Sequence, residues 1–259
     1  MLKATIEYDG SRYRGWQAQV NARTVQGALY EAIHQTLGDD VRMFGAGRTD
    51  AGVHAFAQVA SLHLGPKVLL SAPEKMRQAL NDLLPPDVHI LSLVPASPRF
   101  HARHDAVLRI YRYRIARRRT AFGKPFVWWV KDPLDEDAMR RAAQHFVGRH
   151  DFSSFCENPD GQESTIVEVS SAQILSTPDL VVFRIAASHF LWKMVRRLTG
   201  ILVEVGTGRL SEAEVKALVA ERSPRPAVFT APPSGLFLEA VLYAGDPTPK
   251  EIDPLRPGI

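Results

Sequence analysis

The stretch VRMFGAGRTDAGVHAFAQVASLHL, residues 41–64, holds two short runs, 41–45 and 54–64, on either side of a glycine-rich segment. Runs of this length bounded by glycine read as strands. Upstream, residues 2–8 alternate well enough for a strand. Thr24 then fits an N-cap, and Val25, Leu29, Ile33 and Leu37 follow at helical spacing on one face. Downstream, Pro73 opens a second helix with Met76, Leu80 and Leu83 inward, and Pro85-Pro86 ends it. Residues 88–94 alternate again. The first half therefore reads strand, helix, strand, strand, helix, strand.

The second half repeats this order. Residues 106–116 read as a strand and 135–147 as a helix. Residues 165–175 and 180–187 read as paired strands, with Ser176-Thr177-Pro178-Asp179 as the turn. Residues 190–205 form a helix whose stripe is Leu191, Met194, Val195, Leu198, Ile201 and Leu202. A short helix near 211–221 is extra, and residues 236–243 close the set. Each half resembles a βαββαβ, ferredoxin-like unit. The expected fold is α+β: two such domains joined edge to edge into one large, mainly antiparallel sheet with helices on one face. The boundaries are 1–104 for an N-terminal domain, 105–245 for a C-terminal domain, and 246–259 for a Pro-rich, poorly ordered tail.

The chain has 259 residues, 45% hydrophobic and 23% charged, which is ordinary for a soluble globular protein. No apolar run approaches the roughly 18 residues of a membrane span, and the N-terminus lacks the pattern of a secretory signal. Cys156 is the single cysteine, which excludes an internal disulfide and a cysteine-based zinc cage. A cytoplasmic location is expected. Net charge is +4. The positive charge is rich in arginine, clustered at Arg109, Arg112, Arg114, Arg117, Arg118 and Arg119 and interleaved with Tyr111 and Tyr113. Such a cluster suits RNA, whose phosphates take guanidinium forks and whose bases stack on aromatics. It equally describes a solvated strand face.

Within the glycine-rich segment, Gly45, Gly47 and Gly52 surround Arg48, Thr49 and Asp50. Glycine allows positive φ and close approach of another backbone. A carboxylate displayed there can act as nucleophile or general base, and Arg48 can pair with a phosphate. The same residues also make an ordinary turn, with Asp50 bonded to its own loop amides. A metal pair of Asp50 and His54 lacks further ligands at metal spacing. His101 and His104, in Phe-His-Ala-Arg-His, fit phosphate contact or local capping better than metal. No Gly-x-Ser-x-Gly elbow is present, and Cys156 reads as a packed thiol.

Gly-Arg-Thr-Asp-Ala-Gly-Val-His at 47–54 resembles the signature of the TruA family of tRNA pseudouridine synthases. Further resemblance lies in Glu7-Tyr8-Asp9-Gly10, Tyr13, Gly15-Trp16-Gln17, Phe100-His101-Ala102-Arg103, Tyr111-Arg112-Tyr113, Asp151–Phe155 and Met194-Val195-Arg196. It runs from about residue 4 to about 243. The resemblance implies conversion of uridine to its C-glycoside isomer in the anticodon stem-loop of tRNA, at tRNA positions 38–40. It implies a homodimer, no cofactor, no metal, and an active-site cleft between the two domains. Asp50 corresponds to the catalytic aspartate and Tyr111 to the tyrosine that stacks on the target base. Arg196 corresponds to the basic residue that pairs with the aspartate. Arg48 corresponds to the arginine that helps take the uridine out of the stack. Arg197, beside Arg196, reads as a surface charge. Two places depart from the family pattern: Glu163-Ser164-Thr165, where an arginine often precedes the threonine, and Trp192-Lys193.

Overall fold

A computed structural model describes residues 1–66, 68 and 72–247. The fold is α+β with five α-helices among the described residues. Two compact units are present. One comprises Met1–Val107 with Phe237–Gly245, and the other is built on Leu108–Leu236. The expected disordered tail falls, from residue 248 on, outside the described residues.

The first unit runs β1 (Leu2–Tyr8), α1 (Val25–Leu37), β2 (Val41–Gly45), β3 (His54–Leu64), α2 (Pro73–Leu83) and β4 (Val88–Pro95). This is the βαββαβ order read from the sequence. β1 lies between β4 and β3, antiparallel to both, with Ala4 opposite Leu93 on one side and Ala60 on the other. β2 pairs antiparallel with the C-terminal half of β3, Val41 opposite Leu64. β10 (Leu236–Tyr243) runs parallel to the start of β3, Phe237 opposite His54.

Strand alternation produces the core. Leu2, Ala4, Ile6 and Tyr8 are all buried, and their registered neighbours Ala60, Leu62, Ile90 and Leu93 share that face. The helices bury Val25, Leu29 and Ile33 from α1 and Met76 and Leu80 from α2. Each such side chain stabilises the fold by roughly 1.5–3 kcal/mol. Thr24 caps α1 as expected, its hydroxyl accepting from Gly27 N–H at 3.2 Å. Leu83 differs from expectation. It is 48% exposed, because the helix ends there and Leu84 turns inward instead. α2 also serves the edge strand: Asn81 accepts from Ile90 N–H at 2.8 Å and donates to Ile90 O at 3.0 Å. That pairing sits where the β1–β4 register shifts.

The second unit contains β5 (Ala106–Ala116), β6 (Trp128–Trp129), α3 (Glu136–Gln144), β7 (Gly148–Asp151), β8 (Ile166–Ser176), β9 (Leu180–Ala187), α4 (Met194–Gly206) and α5 (Glu212–Ala220). Its sheet is ordered β5-β9-β8-β7, antiparallel throughout, and β6 adds in parallel to β5 at Ile115–Trp128. β6 and β7 escape sequence reading because WW and GRHD carry no alternation. Backbone pairing alone makes them strands. α3 stops at Gln144, three residues early. α4 starts at Met194 rather than 190, because Lys193 takes a left-handed conformation at its N-cap. Once begun, α4 is buried almost all round. Gly200 is needed on it, since a Cβ there would stand 1.5 Å from Phe229 O.

Candidate active site

Asp50 lies on the loop between β2 and β3, and that loop is gripped by the chain from Asp9 to Trp16. Trp16 N–H donates to Thr49 O at 3.0 Å, and Gly52 N–H donates to Tyr13 O at 3.3 Å. Within the loop, Val53 N–H closes a turn onto Asp50 O at 3.1 Å. From the sheet side, Gln58 Nε2 donates to Gly47 O at 3.0 Å. The hydroxyls of Tyr8 and Thr49 share a hydrogen bond at 2.8 Å. The result alternates along the loop: Arg48 is exposed, Thr49 buried and Asp50 half-buried. The backbone that carries the carboxylate is thus fixed at both flanks.

Glycines make this grip possible. Gly15 has φ +97°, and a Cβ there would stand 2.6 Å from Thr49 O. A Cβ on Gly10 would stand 2.0 Å from Val53 O. Gly52 has φ +77°, a conformation other residues rarely adopt.

His54 follows the loop and is buried, its ring stacked on Phe237 with centroids 4.6 Å apart. Its Nδ1 lies 3.1 Å from Gly10 N and 3.1 Å from Asp9 Oδ1. The hydrogen bond with His54, helped by those from Ser11, holds the Asp9 carboxyl well below the usual carboxylate range. His54 is therefore a strut between loop and strand. Among the described residues, no three His, Cys, Asp or Glu side chains gather closely enough to hold a metal ion.

A second layer supports the 9–16 segment. Tyr13 Oη donates to Asp87 Oδ1 at 2.5 Å, and Arg23 Nη2 donates to Tyr13 Oη at 3.0 Å. Arg12 pairs with the same carboxylate at 2.8 Å. Burial, reinforced by Asp87, pushes the Tyr13 hydroxyl up to about 12. Sequence reading passed over Asp87 because nothing local distinguishes it. Its partners lie more than sixty positions away in the chain.

In the second unit, Tyr111 sits on β5, largely buried, with the Phe190 ring edge-on at 5.0 Å. Tyr113, on the same face, is fully buried and donates to Pro232 O at 2.7 Å. It is a core aromatic. Arg196 occupies the first turn of α4. Its Nε donates to Ala231 O at 2.7 Å, and its own carbonyl accepts from Ala231 N–H at 3.1 Å. Its positive charge partly offsets the strong upward push that burial gives Tyr113. Arg48 and Asp50 thus share one loop of the first unit, and Tyr111 and Arg196 both belong to the second.

Arg197 is not the surface charge expected. It is 6% exposed, donates from Nη1 to Cys156 O at 2.7 Å, and pairs through Nη2 with Glu157. The arginine-rich strand also differs from a free phosphate-binding row. Arg112 is buried, Arg117 pairs with Glu136, and Arg118 pairs with Asp179 at 3.1 Å. His101 Nδ1 accepts from the backbone N–H of Arg103 at 3.1 Å, the local capping role considered for it. Cys156 is buried, and burial raises its thiol above the ordinary value. Among the described residues, no helix is long and apolar enough to cross a membrane.

A family model described as tRNA pseudouridine synthase matches residues 4–105 and 142–244. The chain is 42% identical over 244 residues to the tRNA pseudouridine synthase A of Pelobacter propionicus, covering 93% of this chain and 99% of that one. It is 42% identical over 249 residues to that of Myxococcus xanthus, covering 95% and 93%. With that of Thermoanaerobacter sp. strain X514 the identity is 38% over 242 residues, covering 92% and 97%. The family match reaches into both units and takes in the loop carrying Asp50 and the helix carrying Arg196: this chain belongs to the tRNA pseudouridine synthase family.

Proposed function

We propose that this protein isomerises uridine to pseudouridine in the anticodon stem-loop of tRNA, at tRNA positions 38–40. The reading is supported above all by a half-buried carboxylate, Asp50, held on a loop that the 9–16 segment fixes from both sides. The N1–C1′ bond breaks, the uracil turns, C5 bonds to C1′, and the C5 proton is lost while N1 gains one, so the atoms balance. Two routes suit the carboxylate. Asp50 attacks C1′ and is displaced when C5 bonds, or it removes the C2′ proton to give a glycal and returns it later. Arg48 is the exposed group that takes the nucleotide as it leaves the stack, at a cost of a few kcal/mol. Tyr111 stacks on the uracil, its ring steadied by Phe190. Arg196, in the first turn of α4, supplies the positive charge of the site. The working form is a homodimer in the cytoplasm that needs neither cofactor nor metal.

The test is tritium release from tRNA transcripts labelled at C5 of uridine. The wild type releases tritium, with or without chelator. Asp50→Ala releases none while keeping most of its RNA affinity. Equal release by both proteins removes Asp50 from the chemistry, and RNA binding without release by the wild type makes the protein a binder only.

A further inference from the structure

The turn at Trp192-Lys193, just before α4, is unusual in its structure. Trp192 is 51% exposed between the buried Leu191 and the buried Met194. The next residue, Lys193, has φ +62°, a left-handed conformation that a side chain other than glycine adopts at a cost. The turn is held in place from outside α4. Glu157 N–H donates to Trp192 O at 2.9 Å, and Glu157 Oε1 pairs with Lys193 Nζ at 2.9 Å. The other oxygen of Glu157 pairs with the buried Arg197, which also holds Cys156 O. Lys193 Nζ stands 5.5 Å from the centroid of the indole.

Burying the indole would stabilise the fold, yet the chain keeps a strained, braced turn that presents it to solvent. The indole also stands on the same short segment as two residues of the proposed site. Phe190, two positions earlier, steadies Tyr111, and Arg196 lies four positions later. A braced, solvent-facing ring matches the physics of a base-stacking residue, which offers an aromatic face to a base.

We propose that Trp192 stacks on a nucleobase of the substrate RNA that flanks the target uridine. The proposal rests on the isomerase reading for its substrate. Glu157 and Arg197 are positioning residues for it, acting through the backbone of the turn.

The test compares wild type, Trp192→Phe and Trp192→Ala in tritium release from C5-labelled tRNA and in fluorescence titration with unlabelled tRNA. For Trp192→Ala, KM rises roughly 5- to 150-fold, the range of losing one base–aromatic stack, and most of the loss lies in KM rather than kcat. Trp192→Phe restores KM to within about threefold of wild type, since a phenyl ring keeps a stacking face. The tRNA quenches wild-type fluorescence more than that of Trp192→Phe. The ratio of Trp192→Ala to wild-type KM holds as salt rises, because stacking releases no counterions. A Trp192→Ala protein with wild-type KM and wild-type thermal unfolding overturns the proposal. So does a change in its sedimentation without RNA, which makes a second copy of this chain the occupant of the ring. Quenching by tRNA in a wild type that releases no tritium overturns the isomerase reading and leaves the stacking contact standing.

Discussion

The hydroxyls of Tyr8 and Thr49 lie 2.8 Å apart, both residues buried, one on the first strand and the other next to Asp50. Forty-one positions separate them in the chain. The bond ties the candidate carboxylate to the centre of the sheet, and burial drives the Tyr8 hydroxyl far above its ordinary range, so it stays protonated throughout the working pH range.

Tyr8→Phe strands the Thr49 hydroxyl in the interior. The expected cost is about 1–3 kcal/mol of stability, the penalty of an unsatisfied buried polar group. Tritium release falls through kcat more than through KM, because the loop loses its position rather than its RNA contacts. Denaturant melts and steady-state kinetics on the same preparation check both parts.

Gly15→Ala combines a left-handed φ with a Cβ 2.6 Å from Thr49 O. Strain of this kind costs roughly 1–3 kcal/mol before the clash is counted. Gly208 is the control, since it has φ +74° with no atom within 4 Å of its Cβ position. Gly208→Ala loses only the conformational part, about 1–2 kcal/mol. Unfolding midpoints of the two variants separate the clash from the strain, and activity drops only for Gly15→Ala.

Asp9 makes the loop acid-sensitive. Its folded-state pKa is depressed by His54 and Ser11. A depressed carboxylate contributes stability that is fully present above its unfolded value, about 4. That contribution is lost as pH falls below this value toward the folded one. Asp9→Asn therefore lowers stability at pH 7 and flattens the fall between neutral pH and pH 3, read as the difference in unfolding free energy between the two proteins. A constant difference across that range removes Asp9 from the linkage.

Arg197 and Glu157 form a half-buried ion pair that the sequence reading missed. Removing one partner, as in Arg197→Met, leaves Glu157 with Lys193 alone, and because Glu157 is one-third exposed the cost stays below the roughly 3–5 kcal/mol of breaking a fully buried pair. The double variant Arg197→Met with Glu157→Met recovers part of that loss. A double-mutant cycle on unfolding free energies gives the coupling directly.

Much of the architecture was legible along the chain. Thr24, Pro73 and the alternation at 2–8 and 88–94 are local signals, and each element formed where local chemistry put it. The eight residues at 47–54 pointed to Asp50 before any geometry was known. The misses share one cause. Leu83, Arg197, β6 and β7 are decided by contacts outside their own segments: where a helix ends, a distant carboxylate, a neighbouring strand.

By itself, the sequence determined the order of the helices and the longer strands and the identity of the candidate carboxylate, because periodicity, capping and a dense motif act within a few residues. Tertiary structure decided what makes the Gly45–Ala55 segment more than a turn. Tyr8, Tyr13, Trp16 and Gln58 reach it from elsewhere in the chain, and Gly10 and Gly15 let two backbones approach more closely than any side chain would permit. Such contacts depend on distances in space, and spacing along the chain carries no record of them.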